Sequence, residues 1–366
     1  MKVLFLTNIP SPYRVAFFNE LGKQVELTVL FEKGASDERD ASWKEYHFQN
    51  FTGIILPGRR ASVNTAFCPS VCRYLNRSWD HIICANATTP TGMLAIQTMK
   101  LCGLKYWIEG DGAFAKSGKG ARELLKKYIL SGAKGYFSTS KAHDEYYLAY
   151  GAKADRIYRY PFTSVYAADV LRITTSDIEK KRIKTELDIN EERIIVSVGR
   201  FSYQNGYGKG YDLLLRACEK LPENYGVYII GDEPTEEFKR WKDQKKLTQV
   251  HFVGFKRKKE LYQYYRAADL FTLLSRGEAW GLVINEAMAN GLPIVTTNRC
   301  VAGLELVKNG ENGYIVPVDD VPATVEAIQK VMDADTKKMS ERSLEIIRGY
   351  TIEAMAEAHV RILSKL

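Results

Sequence analysis

Long apolar runs are missing from this chain. No stretch of about eighteen apolar residues occurs, so no segment reads as a membrane-spanning helix. The opening Met1-Lys2-Val3-Leu4-Phe5-Leu6-Thr7 is too short for the core of a secretion signal and reads as a buried strand. A cytoplasmic protein is expected. Cysteine pairs are missing too. Cys68, Cys72, Cys84, Cys102, Cys218 and Cys300 form no C-x-x-C motif, and a chain of this size needs no staples, so they read as reduced core thiols. The five histidines do not cluster with them, and no D-x-D pair stands in a loop suited to a catalytic metal. No metal site or cofactor is therefore expected. The first strand lacks a following G-x-G-x-x-G, which argues against a dinucleotide oxidoreductase. Gly118-Lys119-Gly120 lacks the spacing and the Lys-Ser/Thr pair of a phosphate-binding P-loop. No aromatic-rich RNA motif appears, and no nucleic-acid partner is expected.

What is present is enough chain for two cores. The 366 residues suit two domains rather than one. Apolar residues make up 45% and charged residues 26%, the profile of a globular protein. The net charge of +8 is unevenly placed. Residues 1–165 hold 22 Lys and Arg against 14 Asp and Glu, and residues 166–366 hold 30 of each. The whole excess sits in the first half, which suggests an anionic partner such as a phosphate or an acidic lipid surface.

Short β-branched runs alternate with helical patterns from end to end. Strands are expected at Val3–Thr7, Val25–Phe31, His81–Cys84, Lys105–Ile108 and Gly135–Ser138. In the second half they are expected at Ile194–Val198, Val227–Ile230, His251–Val253, Leu270–Leu274 and Ile294–Thr297. Helical stretches lie between them at Thr91–Leu101, Ala121–Leu130, Tyr211–Leu221 and Lys259–Ala268. The alternation implies an α/β protein with parallel sheets. Periodicity fades after Tyr160-Pro161-Phe162, so the junction is placed near 160–185. The assignment is a first domain at 1–165 and a second at 166–366, with the last helix able to pack back on the first. Ligands of such sheets bind at the C-terminal ends of the strands.

The densest chemistry lies in Glu278-Ala279-Trp280-Gly281-Leu282 and the residues up to Val295. Gly281 permits a tight turn, Leu282–Asn290 has helical character, and Gly291 with Pro293 ends it. A strand–turn–helix unit offers free N–H groups and a positive dipole end, a ready diphosphate site. Glu278 precedes the helix and Glu286 lies about one turn inside it, so the two can reach different parts of one ligand. Upstream, Val198-Gly199-Arg200 ends a strand, and Lys209-Gly210-Tyr211-Asp212 opens a helix after a loop rich in Gly and Asn. Arg200 and Lys209 bracket that loop, and two fixed cations could neutralise a departing diphosphate without a metal. Asp212 reads as a dipole partner of its helix.

The order Gly199-Arg200, Lys209-Gly210-x-Asp212-x-Leu-Leu, then Glu278-x7-Glu286 resembles the family-4 glycosyltransferases of the GT-B fold. Gly231-Asp232, Val253-Gly254-Phe255, Ala268-Asp269-Leu270 and Asn312-Gly313-Tyr314 fall in that family's order, so the resemblance covers nearly all of 190–320. It extends more weakly to Asn8-Ile9-Pro10-Ser11-Pro12-Tyr13-Arg14, which looks like the loop after the first strand in bacterial members that build envelope glycans. The resemblance implies two Rossmann-like domains facing across a cleft. It implies a retaining hexosyltransferase that moves sugar from a nucleotide diphosphate donor, a UDP-sugar favoured, to a glycan or lipid-linked acceptor. Arg200 and Lys209 would hold the diphosphate beside Gly281 and Leu282. Glu286 would hold the ribose, Glu278 the hexose, and the backbone at Val253, Gly254 and Phe255 the base.

Family members often carry a His or Asp at the strand end near residue 109, facing the reacting sugar. Here Glu109-Gly110-Asp111-Gly112 offers no His, so Asp111 or Glu109 would take that place. The stretch Lys116 to Leu130 is basic and amphipathic. Two readings stand: docking on an anionic membrane or a lipid-linked pyrophosphate, or an ordinary helix with Leu124, Leu125 and Tyr128 in the core. The rival functions are a nucleotide-sugar epimerase and a non-catalytic nucleotide-sugar-binding protein of the same fold.

Overall fold

The computed structural model describes residues 1–35, 46–115, 118 and 120–365. The chain divides into two compact units, residues 1–164 with 350–366, and residues 165–349.

The first unit is a seven-stranded parallel sheet. Its strands are β1 (Lys2–Thr7), β2 (Glu26–Phe31), β3 (Thr52–Ile55), β6 (His81–Cys84), β7 (Trp107–Glu109), β8 (Gly135–Ser138) and β9 (Ile157–Arg159), with β4 (Arg59–Arg60) and β5 (Ala66–Phe67) forming a separate small hairpin. The order is β3-β2-β1-β6-β7-β8-β9, so the direction of winding reverses between β1 and β6. Central β1 is buried along five of its six residues, as an apolar run in a doubly covered parallel sheet should be. The sequence expectations did not include β3 and β9. Both are edge strands, short and partly exposed, so neither carries the continuous apolar run of a central strand.

The helix Ile352–Ser364, at the far end of the chain, belongs to this unit and packs on the helix Pro12–Leu21. Its His359 ring stacks on Phe137 at a centroid distance of 4.4 Å and lies 4.7 Å from Phe17. The helix Ala121–Leu130 overturns the core-packing reading of its apolar residues. Leu124, Leu125 and Tyr128 are 69%, 51% and 49% exposed, and Ile129 and Leu130 are the residues it buries. Of the basic stretch before it, Lys116, Ser117 and Lys119 lie outside the described residues.

The second unit is a six-stranded parallel sheet of β10 (Arg193–Val198), β11 (Tyr225–Ile230), β12 (Val250–Gly254), β13 (Leu270–Leu273), β14 (Ile294–Thr297) and β15 (Gly313–Val316). The order β12-β11-β10-β13-β14-β15 reverses between β10 and β13. Edge strand β15 was absent from the expectations; Gly313 opens it at φ 150°, and a Cβ there would lie 1.9 Å from the Ile294 carbonyl oxygen. The helix expected to reach Leu221 runs Tyr211–Cys218, with Pro222 just beyond.

Candidate active site

In the second unit the reversal point gathers two motifs that lie far apart in sequence. Gly199 and Arg200 leave β10, and the segment after β13 carries Arg276 and Glu278. A crevice outside these strand ends is where open α/β sheets bind ligands. The two motifs meet through the Lys209 ammonium, which is ion-paired with Glu278; the side chains are 16% and 21% exposed. The Ser275 hydroxyl is 3.5 Å from the same carboxylate oxygen. Gly199 makes room for this arrangement: a Cβ there would lie 3.3 Å from the Lys209 stem and 2.9 Å from the Tyr211 hydroxyl. Arg200 thus leaves the strand next to the residue over which Lys209 passes, and it is half-buried.

The loop between the cations is bent tightly. Gln204, Asn205 and Gly206 are all left-handed, with φ of 51°, 52° and 86°. Gly210 is left-handed as well, and a Cβ on it would lie 2.1 Å from the Leu274 carbonyl oxygen, so only glycine lets the two segments approach. Arg276 holds the loop from the other side. Its guanidinium donates to both Asp212 carboxylate oxygens at 2.7 and 2.8 Å and to the Tyr207 carbonyl at 2.6 Å, while its backbone N–H reaches the Gly208 carbonyl at 3.1 Å. Asp212, 2% exposed, is therefore engaged by a specific partner rather than by its helix dipole alone. Sequence reasoning missed Arg276. Its only signal was a cation two residues before Glu278, with no mark of its partner 64 positions away.

Gly281 caps the helix Leu282–Ala289 at φ 107°, and that N-terminus has no side-chain cap. Its first N–H groups keep the positive end of the helix available to an anion. A Cβ on Gly281 would lie 2.9 Å from the Cys300 sulfur, so the turn cannot accept a side chain without a shift. Glu286, half-buried, faces the Tyr265 hydroxyl at 3.5 Å. Val253 and Gly254 end β12, Gly254 is left-handed at φ 76° with open space where a Cβ would be, and Phe255 is 54% exposed.

The first unit separates its two candidate carboxylates. Glu109 is fully buried. One oxygen accepts from Arg14 and from the Tyr160 hydroxyl at 3.3 Å, and the other lies 3.0 Å from His359 Nε2. Burial pushes its pKa up, but Arg14 and His359 outweigh that and hold it down at about 2. With its side chain at zero exposure, Glu109 is enclosed by these partners. Asp111, whose side chain is 38% exposed, accepts from the other arm of Arg14 and from the Tyr13 hydroxyl at 3.1 Å. The strand end without a histidine of its own is met by two from elsewhere. His359 binds Glu109, and a Cβ on Gly110 would lie 2.9 Å from the His143 ring. Burial lowers the His143 pKa to about 3, so the ring is neutral.

Asp111 lines a cavity of about 280 Å³ at this unit's own reversal point. Thr7 ends β1 and Asn8 follows it, Asn86 and Thr88 follow β6, and Asn64 reaches in from the turn between β4 and β5. Among the described residues, no group of three or more His, Cys, Asp and Glu is placed to hold a metal, and no helix is long and apolar enough to cross a membrane.

Residues 179–345 match the model of the family described as Glycosyl transferases group 1. A lipopolysaccharide core biosynthesis glycosyltransferase of Rhizobium meliloti is 28% identical over 193 residues, covering 51% of this chain and 53% of the relative. An uncharacterised 41.2 kDa protein from the cps region of Klebsiella pneumoniae is 34% identical over 175 residues, covering 46% and 45%. The chain thus spans about half the length of the curated relatives it matches. The solved structure of Anabaena HepE in complex with UDP superposes with a TM-score of 0.79 over 100% of both chains at 16% identity, a likeness of fold. With two Rossmann-like α/β units of the GT-B type and this match over 179–345, the chain carries a glycosyl transferases group 1 domain.

Proposed function

We propose that the protein is a retaining hexosyltransferase, that a nucleotide diphosphate sugar binds its second unit, and that a glycan or lipid-linked acceptor binds its first. The observation that carries this reading is the Lys209–Glu278 pair, which joins two separate motifs beside the uncapped helix N-terminus at Gly281. Arg200, Lys209 and that helix end would take up the charge of the leaving diphosphate, the point at which fixed positive groups lower the barrier. Glu278 would be released to the hexose hydroxyls as Lys209 turns to the phosphate, with Glu286 on the ribose and the Val253–Phe255 backbone on the base. Asp111 would serve the acceptor bound to the first unit. The leaving phosphate would accept the acceptor's proton on the face from which it departs. A UDP-sugar is favoured by the UDP complex of the Anabaena neighbour. Cell-envelope polysaccharide is favoured by the lipopolysaccharide and cps-region relatives.

With side chains supplying the positive charge, transfer needs no metal and should survive EDTA. The decisive experiment is a thermal-shift screen against UDP-, GDP- and dTDP-sugars, since a donor that binds the folded state raises its stability by mass action. One nucleotide series should raise the melting temperature, and turnover of that donor in EDTA should follow. A flat response to all three, or activity restored only by manganese or magnesium, would overturn the assignment of the diphosphate site.

The exposed face of the helix Ala121–Leu130 supports peripheral attachment to an anionic membrane on its cytoplasmic side. Leu124 and Leu125 stand in solvent beside exposed Arg122 and Lys127. Apolar side chains ringed by cations suit the headgroup boundary of an acidic bilayer.

A further inference from the structure

The cavity of the first unit has a charge balance that selects its ligand. Arg14 is the one cation among its described lining residues, and Arg14 already faces Glu109 and Asp111. A third carboxylate, Glu32, is 2% exposed just behind the wall. It accepts from the Asn86 amide, from the Thr89 hydroxyl and, at 3.0 Å, from the Ala66 backbone N–H. Burial raises the Glu32 pKa, and the hydrogen bonds from Thr89, Ala66 and Asn86 oppose that rise by favouring the charged form. Thr89 is the N-cap of the helix Pro90–Leu101 and accepts from the Gly92 N–H at 3.0 Å. The positive end of that helix would otherwise draw an anion, but its Gly92 N–H is taken by the Thr89 cap, whose hydroxyl is in turn bonded to Glu32. One guanidinium therefore stands among three carboxylates.

The same wall presents an unanswered acceptor. The turn between β4 and β5 is closed by the Ser62 and Thr65 hydroxyls at 2.7 Å and tied to the sheet by Lys33, whose ammonium donates to the Val63 carbonyl at 2.8 Å. It carries Asn64 to the cavity with a side-chain oxygen that is buried and has no partner. A buried acceptor left unmet costs about 1–3 kcal/mol, so a ligand that donates a hydrogen bond there gains by filling it. The volume lies near the lower end of small-molecule sites, enough for one ring rather than a chain.

We infer that this cavity binds a single neutral, hydroxyl-rich sugar ring of the acceptor through Asn64, and that it discriminates against a ring carrying phosphate or carboxylate. The inference rests on the glycosyltransferase reading only for calling that ring the acceptor. Proteins such as this can be tested by saturation-transfer NMR on the full chain, with methyl α-glucopyranoside and methyl α-galactopyranoside as neutral probes and glucose 6-phosphate and glucuronate as anionic ones. At least one neutral probe should bind about tenfold more tightly than either anion. Asn64→Ala should weaken that neutral probe by about tenfold, the loss of one buried hydrogen bond. Asp111→Asn should narrow the gap between neutral and anionic probes by removing one of the repelling charges. Anionic probes that bind as well as neutral ones, neutral binding unchanged in Asn64→Ala, or no binding by any ring would each overturn the inference. Nucleotide-sugar consumption, measured in parallel, separates the two claims. Ring selectivity without consumption of any donor would sink the transferase reading alone. Consumption that requires an anionic acceptor would sink the selectivity alone.

Discussion

The two units place charge at the same point of a parallel sheet, where the strand order reverses, but leave it in different surroundings. In the second unit Lys209 and Glu278 pair with partial access to water, at 16% and 21% exposure. In the first, the Arg14 and Glu109 side chains are 5% and 0% exposed and are locked by Tyr160 and His359. A partly hydrated pair can trade its partner for a ligand at small cost. A dry pair cannot, because separating it strands a charge whose desolvation penalty is several kcal/mol. The partly hydrated pair of the second unit therefore suits chemistry and the dry pair of the first unit suits architecture, although both involve residues of the kind that read as catalytic in sequence. Variants of each should fail in different ways.

The largest effect is expected from the dry cluster. Arg14→Met leaves the Glu109 carboxylate buried without its guanidinium and should cost about 3–5 kcal/mol, measured by urea unfolding at neutral pH. Adding Glu109→Gln should recover much of the loss, since no stranded charge then remains; failure of that rescue would break the contrast between the units. Acid should act on the same region. The Glu109 pKa is depressed to about 2, so its stabilising contribution is complete above the unfolded carboxylate value and is lost as pH falls toward 2. The His143 pKa is also depressed, to about 3, by burial. Between the unfolded histidine value and about 3 the unfolded chain binds a proton that the folded one does not, so stability falls with pH there too. Acid unfolding that begins below about pH 6 and steepens below 4.5 is expected, and a flat profile from 7 to 3 would contradict it.

The open pair should show the opposite pattern. Lys209→Ala or Arg200→Ala should lower turnover by roughly 100-fold, about 2.7 kcal/mol of transition-state stabilisation. For Lys209→Ala the urea midpoint should stay close to that of the parent, since an accessible ion pair contributes about 0–1 kcal/mol to stability. Near-normal turnover in both variants would remove the basis for placing the diphosphate there.

How far each unit could be read from sequence follows from the same difference. In the second unit the other strands and the turn at Gly281 were legible, because each sits in a strand–turn–helix frame whose punctuation is local, whereas edge strand β15 and the Lys209–Glu278 ion pair were not foreseen. Nor was Arg276, since its role depends on a partner brought close by the loop. In the first unit the central strands were legible from apolar runs, while edge strands β3 and β9 were too short and exposed to stand out. The choice between Glu109 and Asp111 had to remain open. What separates them is His359, 250 residues further along, which closes over Glu109 and leaves Asp111 at the cavity. The local sequence Glu109-Gly110-Asp111 contains no trace of that helix. Leu124 and Leu125 misled in the other direction: an amphipathic pattern specifies an apolar face but not what covers it.

That uncovered face supplies the smallest and most condition-dependent effect, and it sharpens the comparison at the level of net charge. The whole excess of +8 lies in residues 1–165, and the remainder of the chain is balanced. Vesicles containing anionic lipid should retain the protein at low salt and release it at high salt, while neutral vesicles should not retain it. Each Lys or Arg near an acidic surface contributes about 1 kcal/mol, within a Debye length of about 8–10 Å at moderate salt. Arg122→Gln and Lys127→Gln should each weaken binding by roughly fivefold at low salt and matter little at high salt. Leu124→Ser with Leu125→Ser should weaken it at every salt concentration, because burial of an apolar side chain in the headgroup boundary is not screened. The two kinds of variant thus separate charge from apolar insertion on one helix. Equal retention by both kinds of vesicle, or none by either, would leave the helix as a solvated face and reduce the charge asymmetry between the halves to a feature without a partner.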